Sequence, residues 1–146
     1  VAYLNRGNIE VAPIEEEDRC EVKVQQGQQR AYCGNSVLYF ELCDVDSITT
    51  YNVADNVALL DADKLSYPLV LRRWMEGDSL IPFGMTGRKK VSDYLIDHKV
   101  SIPEKNRQFV MLSEGEIAWL IGRRIGDEFR ITRQTETVLR ITKEII

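Results

Sequence analysis

The sequence predicts an α+β domain built on a mainly antiparallel sheet. Short apolar or alternating runs punctuated by Gly- and Asn-containing turns recur along the chain, whereas only two segments carry helical signals. The 146 residues, 44% hydrophobic and 29% charged, suffice for one domain that buries about two-thirds of its unfolded surface, which excludes disorder and fibrous structure. The expectation is a single domain over residues 1–146, with an acidic strand-rich part over 1–58 and a second part over 59–146.

In chain order, the first expected strands are Asn8 to Ile14, Arg19 to Val24, Ser36 to Leu42 and Val57 to Leu60, with Gly27 and Gly34-Asn35 as turn signals. Glu15 to Asp18, between the first two, reads as a solvated acidic loop. Leu69 to Trp74 reads as a strand, Glu76-Gly77-Asp78 as a turn, and Ile81 to Gly87 as a Gly-rich loop. Val91, Tyr94, Leu95 and His98 fall at i, i+3, i+4 and i+7, which predicts a helix from about Arg88 to Lys99. Pro103 suits the first turn of a second helix ending near Arg107. Gln108 to Leu112, Glu116 to Ile121, Phe129 to Thr132 and Val138 to Ile141 read as strands, with Glu114-Gly115 turning the first of these hairpins. No repeat and no low-complexity tract is found.

No apolar run reaches the roughly 18 residues of a membrane span, and a basic-then-apolar leader is lacking, so a soluble cytoplasmic protein is expected, without a membrane partner. The chain starts with Val1, which suggests a piece of a longer protein. Cys20, Cys33 and Cys43 show no CxxC spacing and read as small buried hydrophobes. His98 is the only histidine, which rules out a multi-histidine metal site; no metal site is expected.

Net charge is −4, but it is unevenly spread. Residues 1–60 hold 4 Lys/Arg against 10 Asp/Glu, a balance of −6, whereas 61–146 hold 15 against 13, a balance of +2. The local excess lies in 72–107, with 8 basic and 5 acidic side chains, and an anionic partner belongs there. Arg88, Lys89 and Lys90 would stand at a helix start, where the dipole opposes cations by a few tenths of a kcal/mol each. A phosphate at that terminus relieves the conflict, with all three side chains and free backbone N–H groups aimed at it and Gly84 and Gly87 allowing close approach. The plainer alternative is a solvated basic loop.

Arg72-Arg73 and Arg123-Arg124 each end a strand-like run, so one member of each pair can face an anion while the other packs against a carboxylate such as Asp78 or Asp127. Trp74 and Trp119 could stack on bases but sit among alternating apolar residues and read as core. Asp93 and Asp97 share a helix face; without an accompanying nucleophile or carboxylate cluster they read as partners that orient nearby cations. His98 reads as a hydrogen-bonded core residue. No P-loop, GxSxG elbow, GxGxxG fingerprint or pyrophosphatase loop is present, so no catalytic residue is assigned.

Leu71 to Asp78 (LRRWMEGD), Pro82 to Asp93 (PFGMTGRKKVSD) and Ile96 to Pro103 (IDHKVSIP) resemble the C-terminal domain of the tRNA(Ile)-lysidine synthases, whose pattern is roughly LRxWxxGDxxxPxGMxGxKKxSDxxIDxKxP. Ile117 to Asp127 and Phe129 to Thr132 look like that family's closing strands. The likeness spans Leu60 to Thr132 and leaves the first 55 or so residues unmatched. It implies a fold related to a domain of the phenylalanyl-tRNA synthetase β subunit, and a parent ligase that uses ATP with magnesium and lysine to convert the wobble cytidine of isoleucine tRNA into lysidine. The catalytic loop would lie in an N-terminal domain this chain lacks, leaving it inactive alone and without a cofactor of its own. The expected partners are isoleucine tRNA, held on its acceptor-stem side, the enzyme's own N-terminal catalytic domain and a second copy of the chain in a homodimer.

The positions matching the pattern are Arg72, Trp74, Gly77, Asp78, Gly84, Gly87, Lys89, Lys90, Asp93, Asp97 and Lys99. Charge assigns RNA contact to Arg72, Arg73, Arg88, Lys89, Lys90, Lys99, Arg123 and Arg124, and structural support to Trp74, Gly77, Asp78, Gly84, Gly87, Asp93 and Asp97. The acidic first half favours a competing role, a structural domain packing on the missing domains or a second subunit. A small hydrolase using Asp93 and Asp97 lacks the supporting groups.

Overall fold

A computed structural model describes residues 21–146. The expected strand Asn8 to Ile14, the acidic run Glu15 to Asp18 and Cys20 lie outside the described residues.

Alternation of apolar and polar side chains builds two antiparallel sheets. The first contains β1 (Val22–Val24), β5 (Leu69–Arg73), β8 (Phe109–Ser113), β9 (Glu116–Leu120) and β10 (Arg124–Ile125), in the order β10-β9-β8-β5-β1. The second contains β2 (Arg30–Cys33), β3 (Ser36–Asp44), β4 (Val57–Asp61) and β11 (Thr137–Ile145), in the order β2-β3-β11-β4. The nine-residue β11 is its spine, pairing with β3 from Thr137 opposite Asp44 to Ile145 opposite Ser36, and with β4 on its other edge. A two-strand ladder joins β6 (Ser79–Leu80) to β7 (Lys89–Lys90), which runs directly into α1 (Val91–Asp97); α2 is Ile102–Asn106.

The first sheet is buried on both faces, and its strands therefore read as nearly continuous apolar runs. Leu69, Leu71 and Met111 point toward the second sheet and share one core with Leu38, Leu60 and Ile141. Val70, Val110 and Leu112, on the opposite face of the same strands, pack with Val91, Tyr94 and Leu95 of α1. The result is three layers: sheet, sheet, helix. An irregularity between Ile117 and Trp119 lets both Ala118 and Trp119 face the first core. Trp119, 1% exposed, is the largest fully buried side chain.

Several expectations are corrected. The helix begins at Val91, because Arg88 to Lys90 lead in through extended backbone and the β6 ladder. Phe129 to Thr132 is not a strand: Phe129 is buried at the end of a 3-10 turn over Asp127–Phe129, which closes when its N–H donates to the Gly126 carbonyl. Three strands were not anticipated, β2, β6 and β10, together with the β7 ladder. β11 extends well past the expected Val138 to Ile141.

Candidate nucleic-acid interface

The motif-bearing segment begins where β5 ends, and its first residues turn inward. Arg72 donates from Nη1 and Nη2 to the two carboxylate oxygens of Asp78 at 2.9 and 3.0 Å, and from Nη1 to the Arg73 carbonyl at 2.9 Å. Asp78 also accepts from the Met75 N–H at 2.8 Å, closing the turn between them. Both side chains are only 13% exposed. The hydrogen bond to Asp78 raises the Arg72 pKa further, although burial works against it. Gly77, at φ +95°, takes the left-handed position this turn requires. Trp74 is half-buried rather than fully core, and its Nε1–H donates to the Lys105 carbonyl at 2.7 Å, tying β5 to α2.

The loop after β6 sends its three cations in separate directions, which overturns the convergence on one helix terminus. Side chains alternate in an extended segment, so neighbours face opposite ways. Arg88 donates to the Ser79 hydroxyl at 2.9 Å and to Glu116 at 3.1 Å. Lys89 pairs with Asp97. Lys90, which occupies the helix N-cap without a side-chain capping bond, is exposed and has no ion-pair partner among the described residues. The Val91 N–H is taken by the Asp78 carbonyl at 2.9 Å, and the Gly84 N–H by Asp127 at 3.0 Å, so neither is free for an anion. Gly84 lies at φ +87°; a Cβ on Gly84 or Gly87 would meet only open space, so neither glycine marks a close approach within the fold.

On α1, Asp97 does orient a cation: hydrogen bonding to Lys89, then its charge, holds the Asp97 carboxyl below its ordinary range. Asp93 does not; it is exposed and forms no ion pair among the described residues. His98 is not a core residue either. It caps the helix at the surface, stacked on Tyr94 with ring centroids 4.0 Å apart and its Nδ1 2.9 Å from the Tyr94 carbonyl oxygen. The following residue, Lys99, sits at φ +55°, where its N–H donates to the Ile96 carbonyl at 2.9 Å and the Val100 N–H to the Leu95 carbonyl at 3.0 Å. Glycine is the usual occupant of such a helix-ending position. A lysine there is strained, and it is exposed.

The remaining arginines also diverge: Arg73 ends β5, Arg123 lies in the turn after β9, and Arg124 opens β10. Arg73 bonds the Asn106 carbonyl and lies 5.8 Å from the Phe109 ring centroid. Arg123 donates from Nε to Gln108 at 2.7 Å and lies 3.9 Å from Glu104. Arg124 donates to the Phe83 carbonyl at 3.3 Å and lies 5.9 Å from the Tyr94 ring centroid. Asp127 belongs to Arg130, at 3.0 Å, not to the Arg123-Arg124 pair. Of the cysteines, Cys33 is buried, and that burial pushes its thiol up to about 12 against the opposing pull of Lys143, whereas Cys43 is half-buried. Among the described residues no three His, Cys, Asp or Glu side chains come together as a metal site, and no helix is long and apolar enough to cross a membrane.

The fold also opens a cleft of about 660 Å³ between β4 and β10, where the sheets part. Tyr51, Phe83 and Arg133 reach it from three loops far apart in sequence, beside Arg123 and Arg124. Sequence reasoning missed those three, since no periodicity or spacing links them.

Comparisons with known proteins bear on the motif-bearing segment. The chain is 53% identical over 83 residues to a tRNA(Ile)-lysidine synthase of Parabacteroides distasonis, covering 57% of this chain and 19% of that relative. It is 52% identical over 82 residues to one of Bacteroides thetaiotaomicron, covering 56% and 19%, and 39% identical over 89 residues to one of Clostridium acetobutylicum, covering 61% and 19%. The chain thus spans about a fifth of the length of the curated relatives it matches. Its fold is that of a crystal structure of a TilS C-terminal domain, with a TM-score of 0.67 at 17% identity, covering 86% of this chain and 91% of the other. An N-terminal fragment of the phenylalanyl-tRNA synthetase β subunit of Pyrococcus horikoshii shares it over 60% of this chain and 27% of that one, with a TM-score of 0.52 at 17% identity. No family profile matches the chain.

Proposed function

We propose, from the premise that the chain belongs to the tRNA(Ile)-lysidine synthase family over its matched segment, that residues 1–146 form that enzyme's C-terminal tRNA-binding domain. In this reading the domain holds the acceptor-stem side of isoleucine tRNA by its phosphates. A separate catalytic domain of the same cytoplasmic ligase uses ATP, with magnesium, and lysine at the wobble cytidine; this chain carries none of that chemistry. A-form RNA offers phosphates and 2′-hydroxyls more readily than base edges, so the domain reads shape and charge rather than sequence.

The observation that carries the proposal is the pair of unpartnered lysines bracketing α1. Lys90 and Lys99 are exposed without ion pairs among the described residues, and Lys99 keeps a cation at a left-handed position where glycine is cheaper. Arg88 and Lys89 flank them in exposed ion pairs, which are worth 0 to about 1 kcal/mol and exchange readily for a phosphate. Arg73 at the end of β5, Arg123 in the turn between β9 and β10, and Arg124 at the start of β10 are further contacts. Arg72 acts from behind, through the turn it holds with Asp78.

Binding to isoleucine tRNA, to an unrelated tRNA and to duplex DNA over a salt series tests this. We expect tRNA to be favoured over DNA, with log affinity falling against log salt by a slope of about −6 if all seven of these cations meet phosphates. No binding at low salt refutes it. That outcome would favour a second reading, supported by the exposed Met75, Ile96 and Ile102: a structural face that packs on the catalytic domain or a second copy.

A further inference from the structure

We propose that the cleft between β4 and β10 holds one unpaired nucleotide of the bound RNA, its base stacked on Phe83 and Tyr51 and its phosphate met by Arg133. This rests on the reading of the chain as an RNA-binding domain and adds to it a site for a flexible part of the ligand, distinct from the lysines that track the duplex backbone.

Size and chemistry both fit. The cleft, about 660 Å³, falls within the range of small-ligand pockets, and its floor is apolar, formed by Val57, Leu59, Ile125 and the edge of Trp119. Two large aromatic side chains remain open at its mouth, Tyr51 at 59% and Phe83 at 47% exposure, where a core would have covered them. Exposed aromatics beside arginines are what single-stranded nucleic acid binds: the ring stacks a base and the guanidinium meets the backbone. Asn52 and Thr132 supply amide and hydroxyl groups for base edges or the ribose. The charged lining is three arginines, Arg123, Arg124 and Arg133, against one carboxylate, Asp55, which favours an anion.

Both ends of the site are set before a ligand arrives. The Phe83 N–H donates to the Ile125 carbonyl at 3.0 Å while the Phe83 carbonyl accepts from Arg124, so β10 grips the backbone on both sides and leaves the ring outside. Arg133 stands at the tip of a turn locked by the Thr132 N–H on the Thr135 hydroxyl at 2.8 Å and by the Thr135 N–H on the Thr132 carbonyl at 3.1 Å. The Thr135 hydroxyl in turn donates at 2.7 Å to Asp61, which is buried. Arg133 itself is exposed and unpaired among the described residues. Stiff supports of this kind lower the ordering cost of binding.

The test uses the whole chain and two probes, a 5′-phosphorylated single-stranded RNA trinucleotide and a blunt duplex RNA of equal phosphate number, with isoleucine tRNA measured in parallel. The expected result is at least tenfold preference for the trinucleotide per phosphate, lowered five- to tenfold by Tyr51→Ala and by Arg133→Ala, both exposed and neutral to folding, with Lys23→Ala as an unaffected control. Equal binding of both probes, or a trinucleotide affinity indifferent to Tyr51→Ala and Arg133→Ala, overturns the proposal even when tRNA binds well. A chain that ignores tRNA but binds the trinucleotide through these two residues overturns the acceptor-stem reading and keeps the cleft. Amides of β10 protected from exchange only when the rest of the enzyme is attached, and not by RNA, would make the cleft an interdomain contact and also overturn it.

Discussion

Replacing Asp78 by Ala removes the acceptor for three hydrogen bonds at 2.8 to 3.0 Å, two from the Arg72 guanidinium and one from the Met75 N–H. The guanidinium keeps only the Arg73 carbonyl and stays in a site that leaves it 13% exposed. Breaking a fully buried pair costs about 3–5 kcal/mol, because a charge is left without a counterion. Here water reaches the rim, so about 2–3 kcal/mol is expected, a fall in melting temperature of roughly 8 °C at about 3 °C per kcal/mol for a chain of this length. Asp78→Asn retains an acceptor for Met75 and one arginine bond and should cost about 1–2 kcal/mol. Urea unfolding followed by tryptophan fluorescence measures both, and a cycle with Arg72→Met should show coupling of about 1–2 kcal/mol. An Asp78→Ala protein that melts within about 1 °C of the original, yet loses tRNA affinity, refutes the argument and makes Arg72 and Asp78 RNA contacts rather than the frame behind them.

Lys99→Gly should raise stability by roughly 0.5–1 kcal/mol, by relieving the left-handed strain, while lowering the steepness of the tRNA salt dependence by about one contact; a variant neither stabilised nor weaker in binding removes Lys99 from the interface. Lys90→Ala should lower affinity uniformly across RNAs with no change in melting, checked by titration and thermal unfolding side by side. Asp97→Asn should leave melting nearly unchanged, because the pair it breaks with Lys89 is at the surface. The lowered pKa of Asp97 means that the pair's contribution is fully present above the ordinary carboxylate value and is lost as pH falls through the still lower folded value, so the small stability gap between the original and Asp97→Asn should stay constant above about pH 5 and close in more acid solution; a gap that changes with pH above about 5 would contradict it. Cys33, pushed up to about 12, stays protonated in the fold, so its contribution holds below the unfolded value near pH 8.5 and shrinks above it by up to about 1.4 kcal/mol per pH unit; Cys33→Ala should flatten that decline, and peptide mapping at pH 8.5 should find Cys43 alkylated before Cys33. Gly126→Ala should cost about 2 kcal/mol or more, since its Cβ would collide with the Ile117 carbonyl while the Gly126 N–H holds the Ala118 carbonyl at 2.9 Å; unchanged urea stability would mean that this corner yields.

How much of this was legible in the sequence depended on how much apolar mass each segment carries. Strands β3, β4, β5, β8 and β9 were readable because most of their inward positions are large apolar residues, Leu, Val, Met, Phe, Ile or Trp. β2 escaped because its inward residues, Ala31 and Cys33, are small and its outward ones, Arg30 and Tyr32, are large. Phe129 to Thr132 misled for the opposite reason: Phe and Ile alternate with polar residues, but burial of Phe129 in a tight turn takes the place of ladder pairing. The 3.6 period placed Val91, Tyr94 and Leu95 correctly on the inward face and overreached at His98, where the helix ends and the stripe leaves the core.

Charge was less legible than hydrophobicity, because a side chain's polarity is local while its partner is set by the whole fold. Arg88, Lys89 and Lys90 are chemically alike and adjacent, yet one meets Glu116 on β9, one meets Asp97 a helix away, and one meets no ion-pair partner among the described residues. Composition alone reads them as one anion site; an extended backbone makes them three separate groups. The same holds for Arg72 and Arg73, where a single step along β5 separates a buried brace from a residue stacked on Phe109. A basic run therefore raises only the expectation of an anion nearby, whereas which cation would receive it follows from the carboxylates that the fold has already assigned. By that reasoning the residues to test first include exposed cations without an ion pair among the described residues, Lys90 and Lys99 in the matched motif and Arg133 at the cleft.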